Sequence, residues 1–211
     1  MKPELPIILK LGGSLLTLPD LVERLRAAIE WLHPQRVLVL PGGGTAADMI
    51  RKIDEQLGLP AEKAHWDAIA AMSYNAAMLS RLCSDLVMVG SREQALQVWS
   101  DGRTPVLDAY SFLRDEELDP VVQLLPRSWD VTSDSIAAWT ASRWPASRLV
   151  LWKSCDSGNR TIEKLAANGM IDPWFTRVCD GLSVDWLNFR RQPFELVRLS
   201  GSGTSSESSL S

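Results

Sequence analysis

Two short apolar runs near the start of the chain each break directly into glycine. Ile7-Ile8-Leu9-Lys10-Leu11 runs into Gly12-Gly13-Ser14, and Val37-Leu38-Val39-Leu40 passes through Pro41 into Gly42-Gly43-Gly44-Thr45. A run apolar on consecutive residues fits a strand buried on both faces, the habit of parallel sheets covered by helices. Glycine at the end of such a strand lets the chain turn sharply and lets backbone N–H groups converge on one spot, an arrangement that attracts anions. A helix beginning there adds its N-terminal N–H groups and dipole. Lys10, late in the first strand, can reach the same space, and a mobile point charge suits a phosphoryl group. A tight strand-to-helix turn with no ligand remains the alternative for each loop. Neither loop fits G-x-x-x-x-G-K-[ST] or a full G-x-G-x-x-G.

The rest of the chain keeps the alternation. Strands are expected at 6–11, 36–40, 86–89, 105–107, 148–152 and 194–199. Helices are expected at 20–32 after Asp20, 45–57 closed by Gly58, 64–83, 92–99 behind Ser91-Arg92-Glu93-Gln94, and 133–144, with helical turns at 110–114, 161–167 and 183–190. Residues 121–125 are ambiguous. The 64–83 helix places His65, Ile69, Met72, Ala76, Leu79 and Cys83 on one stripe. Strands alternating with helices imply an α/β fold, a three-layer α/β/α sandwich around a mostly parallel sheet, with ligands beyond the carboxyl ends of the strands. Residues 1–199 are expected to form one domain. The serine- and glycine-rich stretch 200–211 cannot bury a core and reads as a disordered tail.

Composition removes several classes of function. The 211 residues carry a net charge of -4 without a basic block, which argues against nucleic acid as the main partner. Three scattered cysteines, Cys83, Cys155 and Cys179, form neither a disulfide framework nor a zinc-spaced set. No apolar run approaches the ~18–20 residues of a membrane span, and no signal peptide precedes the first strand, so a cytoplasmic protein is expected. The nine tryptophans are spread along the chain as core anchors, with one or two available to line a flat ligand.

Two later stretches carry candidate chemistry. Trp129-Asp130-Val131-Thr132-Ser133-Asp134-Ser135 stands at a helix N-terminus. Ser133 and Asp134 fit ordinary capping there, or contacts to substrate. Asp130 lies outside the first turn and is the carboxylate expected to orient Lys10 or to hold Mg²⁺ through water. Leu149-Val150-Leu151-Trp152-Lys153-Ser154-Cys155-Asp156-Ser157-Gly158 runs from a strand into a polar turn, either a plain turn or a loop bordering nucleotide. His65 is either a packing histidine or a substrate contact.

Together these stretches resemble the amino acid kinase superfamily, which includes aspartate, acetylglutamate and uridylate kinases. Its opening K-x-G-G-S corresponds to Lys10-Leu11-Gly12-Gly13-Ser14, its second glycine loop to Gly42-Gly43-Gly44, its Asp-containing helix start to Asp130–Asp134, and its nucleotide loop to Lys153–Gly158. The resemblance spans residues 6 to about 172. The segments Ala64–Met72 and Trp129–Ser135 look like a smaller branch, the kinases of methanofuran biosynthesis, which phosphorylate [5-(aminomethyl)furan-3-yl]methyl phosphate to its diphosphate. The resemblance implies Lys10 and Asp130 as catalytic groups. It implies Gly12, Gly13, Ser14, Gly42, Gly43 and Gly44 as phosphate-binding, with Lys153, Asp156 and Gly158 at the nucleotide. His65, Ser133 and Asp134 would meet the acceptor, with Asp67 or a tryptophan beside its ammonium. ATP and Mg²⁺ are the implied cofactors, with Mg²⁺ carried on the ATP phosphates, and a homo-oligomer is expected, the Ala70, Ala71, Ala77 flank of the 64–83 helix being either core, the commoner case, or a homodimer face. The superfamily's late Gly-Gly-Met-x-x-Lys reads here Asn168-Gly169-Met170-Ile171-Asp172-Pro173, with proline in the lysine position, so either Lys153 or an arginine supplies that charge or activity is weakened. Isopentenyl phosphate kinases carry a histidine in or near the second glycine loop, and this chain has none there. A kinase of another small phosphate or carboxylate, or a non-catalytic nucleotide or oxyanion binder on the same fold, remains open at this stage.

Overall fold

The computed structural model describes residues 5–201. Most of the expected tail, residues 202–211, lies outside the described residues, while Ser200 is docked by its carbonyl, which accepts from the Ile162 N–H at 3.1 Å. A seven-stranded sheet has the order β3-β4-β2-β1-β5-β6-β7. Its strands are β1 (Ile7–Leu11), β2 (Val37–Pro41), β3 (Leu86–Val89), β4 (Thr104–Leu107), β5 (Arg148–Lys153), β6 (Val184–Asn188) and β7 (Val197–Arg198). All pairings are parallel except β6 with β7. The helices are α1 (Leu21–Leu32), α2 (Gly44–Leu57), α3 (Ala61–Leu82), α4 (Arg92–Ser100), α5 (Ala109–Glu116), α6 (Ser133–Arg143), α7 (Ile162–Ala167) and α8 (Phe175–Val178), with a single 3₁₀ turn at Gly13–Leu15. The α/β class and the mostly parallel sheet are as expected.

Side chains alternate between the two faces of a strand, and each face has its own core. Ile8, Leu149 and Leu151 join the core beneath α6, whereas Ile7, Leu9, Leu11, Val150 and Trp152 join the core on the opposite face. The same alternation puts Lys10 on the face of Ile8, and Lys153 on the face of Leu149 and Leu151. Both lysines therefore aim beneath the helix that begins at Ser133.

Local signals explain several boundaries. Gly58 ends α2 in the left-handed conformation at φ 65°. At α4 the Ser91 hydroxyl accepts from the Gln94 N–H, and Gln94 reaches back to the Gly90 N–H at 2.7 Å. The whole expected stripe of α3, from His65 to Cys83, is buried. Asp20 stands before α1 without capping it and instead accepts from Arg24 at 2.7 Å.

The last third corrects two expectations. Residues 183–190 are not helical, because β6 lies there, paired with β5 from Leu149↔Val184 to Lys153↔Asn188. Val184 and Trp186 enter one core and Leu187 and Phe189 the other, so a strand covered on both faces shows no alternation of polarity. Asp185 interrupts the apolar run yet is buried, held by Arg148 at 3.3 Å and Arg198 at 2.6 Å. The final strand shrinks from 194–199 to Val197–Arg198.

Candidate active site

The sheet order fixes where a ligand can sit. The chain leaves β1 toward β2 on one side, and after β4 it returns to lay β5 on the other side. The ends of β1 and β5 thus border the crevice that opens where strand order reverses. Lys10 stands at the end of β1 and Lys153 closes β5.

Between them lies one carboxylate. Asp134 Oδ1 is 2.9 Å from Lys10 Nζ, and Asp134 Oδ2 accepts from Lys153 Nζ at 2.8 Å. Lys10 and Asp134 are each 4% exposed, so this is an interior charge cluster and not a surface ion pair. Burial alone would raise the Asp134 carboxyl, but the charges of Lys10 and Lys153 overcome it and hold the group at about 2. Burial pulls Lys10 down to about 8, and Lys153 adds to that fall, against the attraction of Asp134. Two ammoniums share one carboxylate as their direct partner, an arrangement suited to a further anion.

Asp134 therefore takes the place expected of Asp130. Asp130 is exposed, and its main chain is what the structure uses: its N–H donates to Ser128 at 3.2 Å and its carbonyl accepts from Trp174 at 3.4 Å. Residue spacing could not separate the two carboxylates. The one within the first helical turn faces the strand ends.

The two glycine loops meet backbone to backbone. A Cβ on Gly13 would stand 2.5 Å from the Gly44 nitrogen, and Gly44 itself has φ 55°. The expected donors divide into two groups. Gly12 N–H is taken by the Trp152 carbonyl at 2.9 Å, and Gly42 N–H by the Leu11 carbonyl at 2.8 Å, so neither is available to phosphate. Among the described residues, no backbone partner takes the N–H groups of Gly13, Ser14, Gly43 or Gly44. Asn75 of α3 fixes the second loop from behind, donating to the Gly42 carbonyl at 2.8 Å and the Gly43 carbonyl at 3.0 Å. Asn75 belongs to no motif, and its one sequence signal is that of a polar residue on the buried Met72–Leu79 side of α3.

Beside these loops is a cavity of about 330 Å³, walled by Gly13, Ser14, Gly43 and Gly44, by Ala47, Asp48 and Arg51 of α2, by His65, Ile69 and Met72 of α3, and by Trp129, Thr132 and Ser133. Arg51 lies over the Trp129 ring at 4.6 Å, and the Trp129 indole donates to Asp54 at 2.6 Å. Burial, then the nearby Arg127 charge, lowers the His65 pKa and keeps the ring neutral. Asp67 is exposed and off the wall; Asp48 is the carboxylate that faces the cavity.

On the other side of β5, Asp156 and Gly158 border a second groove of about 320 Å³ with Trp186, Asn188 and Arg191. Asp156 accepts from Asn188 at 3.0 Å and pairs with Arg191 at 2.8 Å, while Ser14 and Ser154 join the first glycine loop to this turn at 3.3 Å. Lys153 also donates to the Met170 carbonyl at 2.7 Å, which brings its charge to the loop whose lysine position is Pro173. Among the described residues, no three His, Cys, Asp or Glu groups cluster as a metal cage. No helix among them is long and apolar enough to cross a membrane.

A parallel sheet with cationic side chains and unpaired loop N–H groups at its switch point defines a phosphate-handling α/β protein. The chain belongs to the amino acid kinase family, whose pattern matches residues 6–157, and is a phosphotransferase of that family acting on a small molecule. Its fold is similar to that of a uridylate kinase from Archaeoglobus fulgidus, at 17% identity and a TM-score of 0.61 over 93% of this chain and 91% of that one. It is also similar to a UMP kinase from Bacillus anthracis, at 13% identity and a TM-score of 0.65 over 91% and 90%. A UMP kinase from Ureaplasma parvum aligns at 14% identity and a TM-score of 0.59 over 89% and 91%. No curated protein matches the chain by sequence.

Proposed function

We propose that this kinase transfers the γ-phosphoryl group of ATP to a phosphate oxygen of a small aminated acceptor, [5-(aminomethyl)furan-3-yl]methyl phosphate, giving the diphosphate. The observation that carries the reading is the Lys10–Asp134–Lys153 cluster at the ends of β1 and β5, where two ammoniums share one carboxylate as their direct partner. A phosphate acceptor is already nucleophilic near neutral pH, so the site needs no general base. One acceptor oxygen forms the new bond to Pγ as the bond from Pγ to the β–γ bridging oxygen breaks, and ADP leaves with that electron pair. Positioning and charge stabilisation then supply the catalysis. Lys10 and Lys153 meet the charge that shifts during transfer, and the N–H groups of Gly13, Ser14, Gly43 and Gly44 hold phosphate oxygens. Asp134 has both oxygens engaged by lysines and Asp130 stands off the cavity wall, so Mg²⁺ would be held by the ATP phosphates.

The acceptor cavity supports an amine. Its walls mix polar and apolar groups, with Trp129 as a flat aromatic partner, and they carry Asp48 for an ammonium and Arg51 for an anionic group. A homo-oligomer is part of the same reading. The α2 helix buries none of its residues, and Met49 and Leu57 are 59% and 74% exposed. Ala71 of the expected α3 flank is core, whereas Ala70 stays exposed.

Steady-state ADP release with three acceptors tests the substrate: the aminomethyl compound, its analogue lacking the amine, and UMP. The aminated acceptor should have the highest kcat/KM, and Asp48→Asn should reduce that preference by about 10-fold, the scale of one charged hydrogen bond. Equal rates with and without the amine would remove the acceptor assignment.

A further inference from the structure

One buried carboxylate has no part in the reaction as described. Asp172 is 6% exposed, and its partners are all neutral N–H and O–H groups. Oδ2 accepts from Thr132 N–H at 3.1 Å, from the Thr132 hydroxyl at 2.8 Å and from Ser135 N–H at 2.9 Å. Oδ1 accepts from the Ser135 hydroxyl, and from Phe175 N–H at 3.0 Å. Three of the four residues from Thr132 to Ser135 thus bear on this site: Thr132 and Ser135 bind Asp172, and Asp134, between them, binds the lysines.

We propose that Asp172 is a positioning residue that clamps the first turn of α6, and with it Asp134, over Lys10 and Lys153. The proposal rests on the phosphotransfer reading of the same site. Thr132 heads α6 but makes no cap bond of its own; its hydroxyl turns outward to Asp172 instead. A threonine at that position ordinarily caps its own helix, so capping alone does not require a carboxylate from 40 residues away. The distant carboxylate does something a local cap cannot. It ties the helix start to the 168–173 loop, and Met170 in that loop holds Lys153 through its carbonyl at 2.7 Å. One residue thereby fixes Asp134 from the helix side and Lys153 from the loop side. It does so in the segment where proline stands in place of a lysine. Burial, with the neighbouring Asp134 charge, raises the Asp172 carboxyl against its hydrogen bonds from Ser135 and Thr132, and its ionised form adds a smaller share to the hold of Asp134 on the Lys10 ammonium, against burial and Lys153.

The test compares wild type with Asp172→Asn and Ser135→Ala, reading kcat, KM for MgATP, and the titration of Lys10 by NMR of ¹³C-labelled lysine. Asp172→Asn keeps the size of the side chain but turns one acceptor into a donor and removes the charge. It should lower kcat by about 10- to 100-fold, the penalty of a misplacement near 1 Å, with KM for MgATP within about threefold. Its Lys10 midpoint should fall below the wild-type value of about 8. Ser135→Ala loosens the clamp and keeps the charge, so kcat should fall by about three- to tenfold while the Lys10 midpoint stays in place. A folded Asp172→Asn protein with kcat within about twofold of wild type overturns the clamp. A fall in kcat with an unmoved Lys10 midpoint overturns it too, since damage confined to stability would look that way. If Asp172→Asn does not fold, Ser135→Ala decides, and an unchanged kcat there overturns the proposal. If wild type makes no ADP with any acceptor, the phosphotransfer reading fails, and the Lys10 titration in Asp172→Asn still tests the clamp.

Discussion

Replacing Lys10 with methionine should make the protein more stable and nearly inactive. Lys10 is buried, and holding an ammonium whose ordinary pKa is 10.5 at about 8 costs about 3 kcal/mol at pH 7. Methionine has a similar length and no charge, so that cost disappears. Asp134 then loses one of its two cations. The figure of about 3 kcal/mol already carries the attraction of Asp134, which at pH 7 stays ionised beside Lys153 at 2.8 Å. After the packing cost of a volume-conserving swap, Lys10→Met is favoured by about 1–3 kcal/mol, or about 2–12 °C in Tm for a chain of this size. On the proposed phosphotransfer the same variant loses the cation assigned to the transferring phosphoryl group, and kcat should fall by about 10²–10³, or ~3–4 kcal/mol. The pH dependence gives a further check on sign. A lysine with a lowered folded pKa penalises the native state while it is protonated, and the unfolded chain binds more protons between about 8 and 10.5. Wild-type stability should therefore rise relative to Lys10→Met over that window, and the gap in Tm should close. Thermal unfolding at pH 7 and pH 9.5, with ADP release measured on the same preparations, reads both effects. A variant less stable than wild type by about 2 kcal/mol would refute the reasoning on burial, and a loss of activity under about threefold would remove Lys10 from catalysis.

Three further outcomes follow from the same geometry. Asp134→Asn leaves two ammoniums without their anion, and should lower stability by about 3–5 kcal/mol and drive the Lys10 midpoint below about 8, read by denaturant unfolding and lysine NMR. Gly13→Ala forces a Cβ to within 2.5 Å of the Gly44 backbone. It should cost about 1–3 kcal/mol and most of the activity, whereas Gly102→Ala, with open space around it, should cost only ~1–2 kcal/mol and leave kcat unchanged. Finally, kcat/KM should fall as pH rises through about 8, because the free enzyme needs Lys10 protonated, and Asp134, ionised down to about 2, should contribute no acid limb near neutrality.

What the sequence made legible follows from how local each signal is. The apolar runs and glycine breaks of β1 and β2 were readable because a strand buried on both faces needs no partner to be recognised. Lys10 and Lys153 could be named as candidates, since each ends such a run. Which carboxylate they share was not readable. Asp130 and Asp134 are four residues apart, and the choice depends on where α6 begins and how it docks on β1. The glycine N–H groups were likewise named as one set, but sheet pairing takes up Gly12 and Gly42, and pairing is a property of the neighbouring strand. β6 was misread because Asp185 looks like a surface residue until Arg148 and Arg198 are brought to it from β5 and β7. Asn75 and Asp172 act through contacts 32 to 40 residues away along the chain, and no local pattern carries that.

The central claim is transfer of a phosphoryl group to a phosphate oxygen of the aminated acceptor. ³¹P NMR of the protein with Mg-ATP and [5-(aminomethyl)furan-3-yl]methyl phosphate tests it directly. The account predicts two mutually coupled diphosphate doublets growing in beside ADP as the monophosphate resonance disappears. ATP left intact by a folded protein that binds it, with the monophosphate unchanged, would contradict the acceptor assignment.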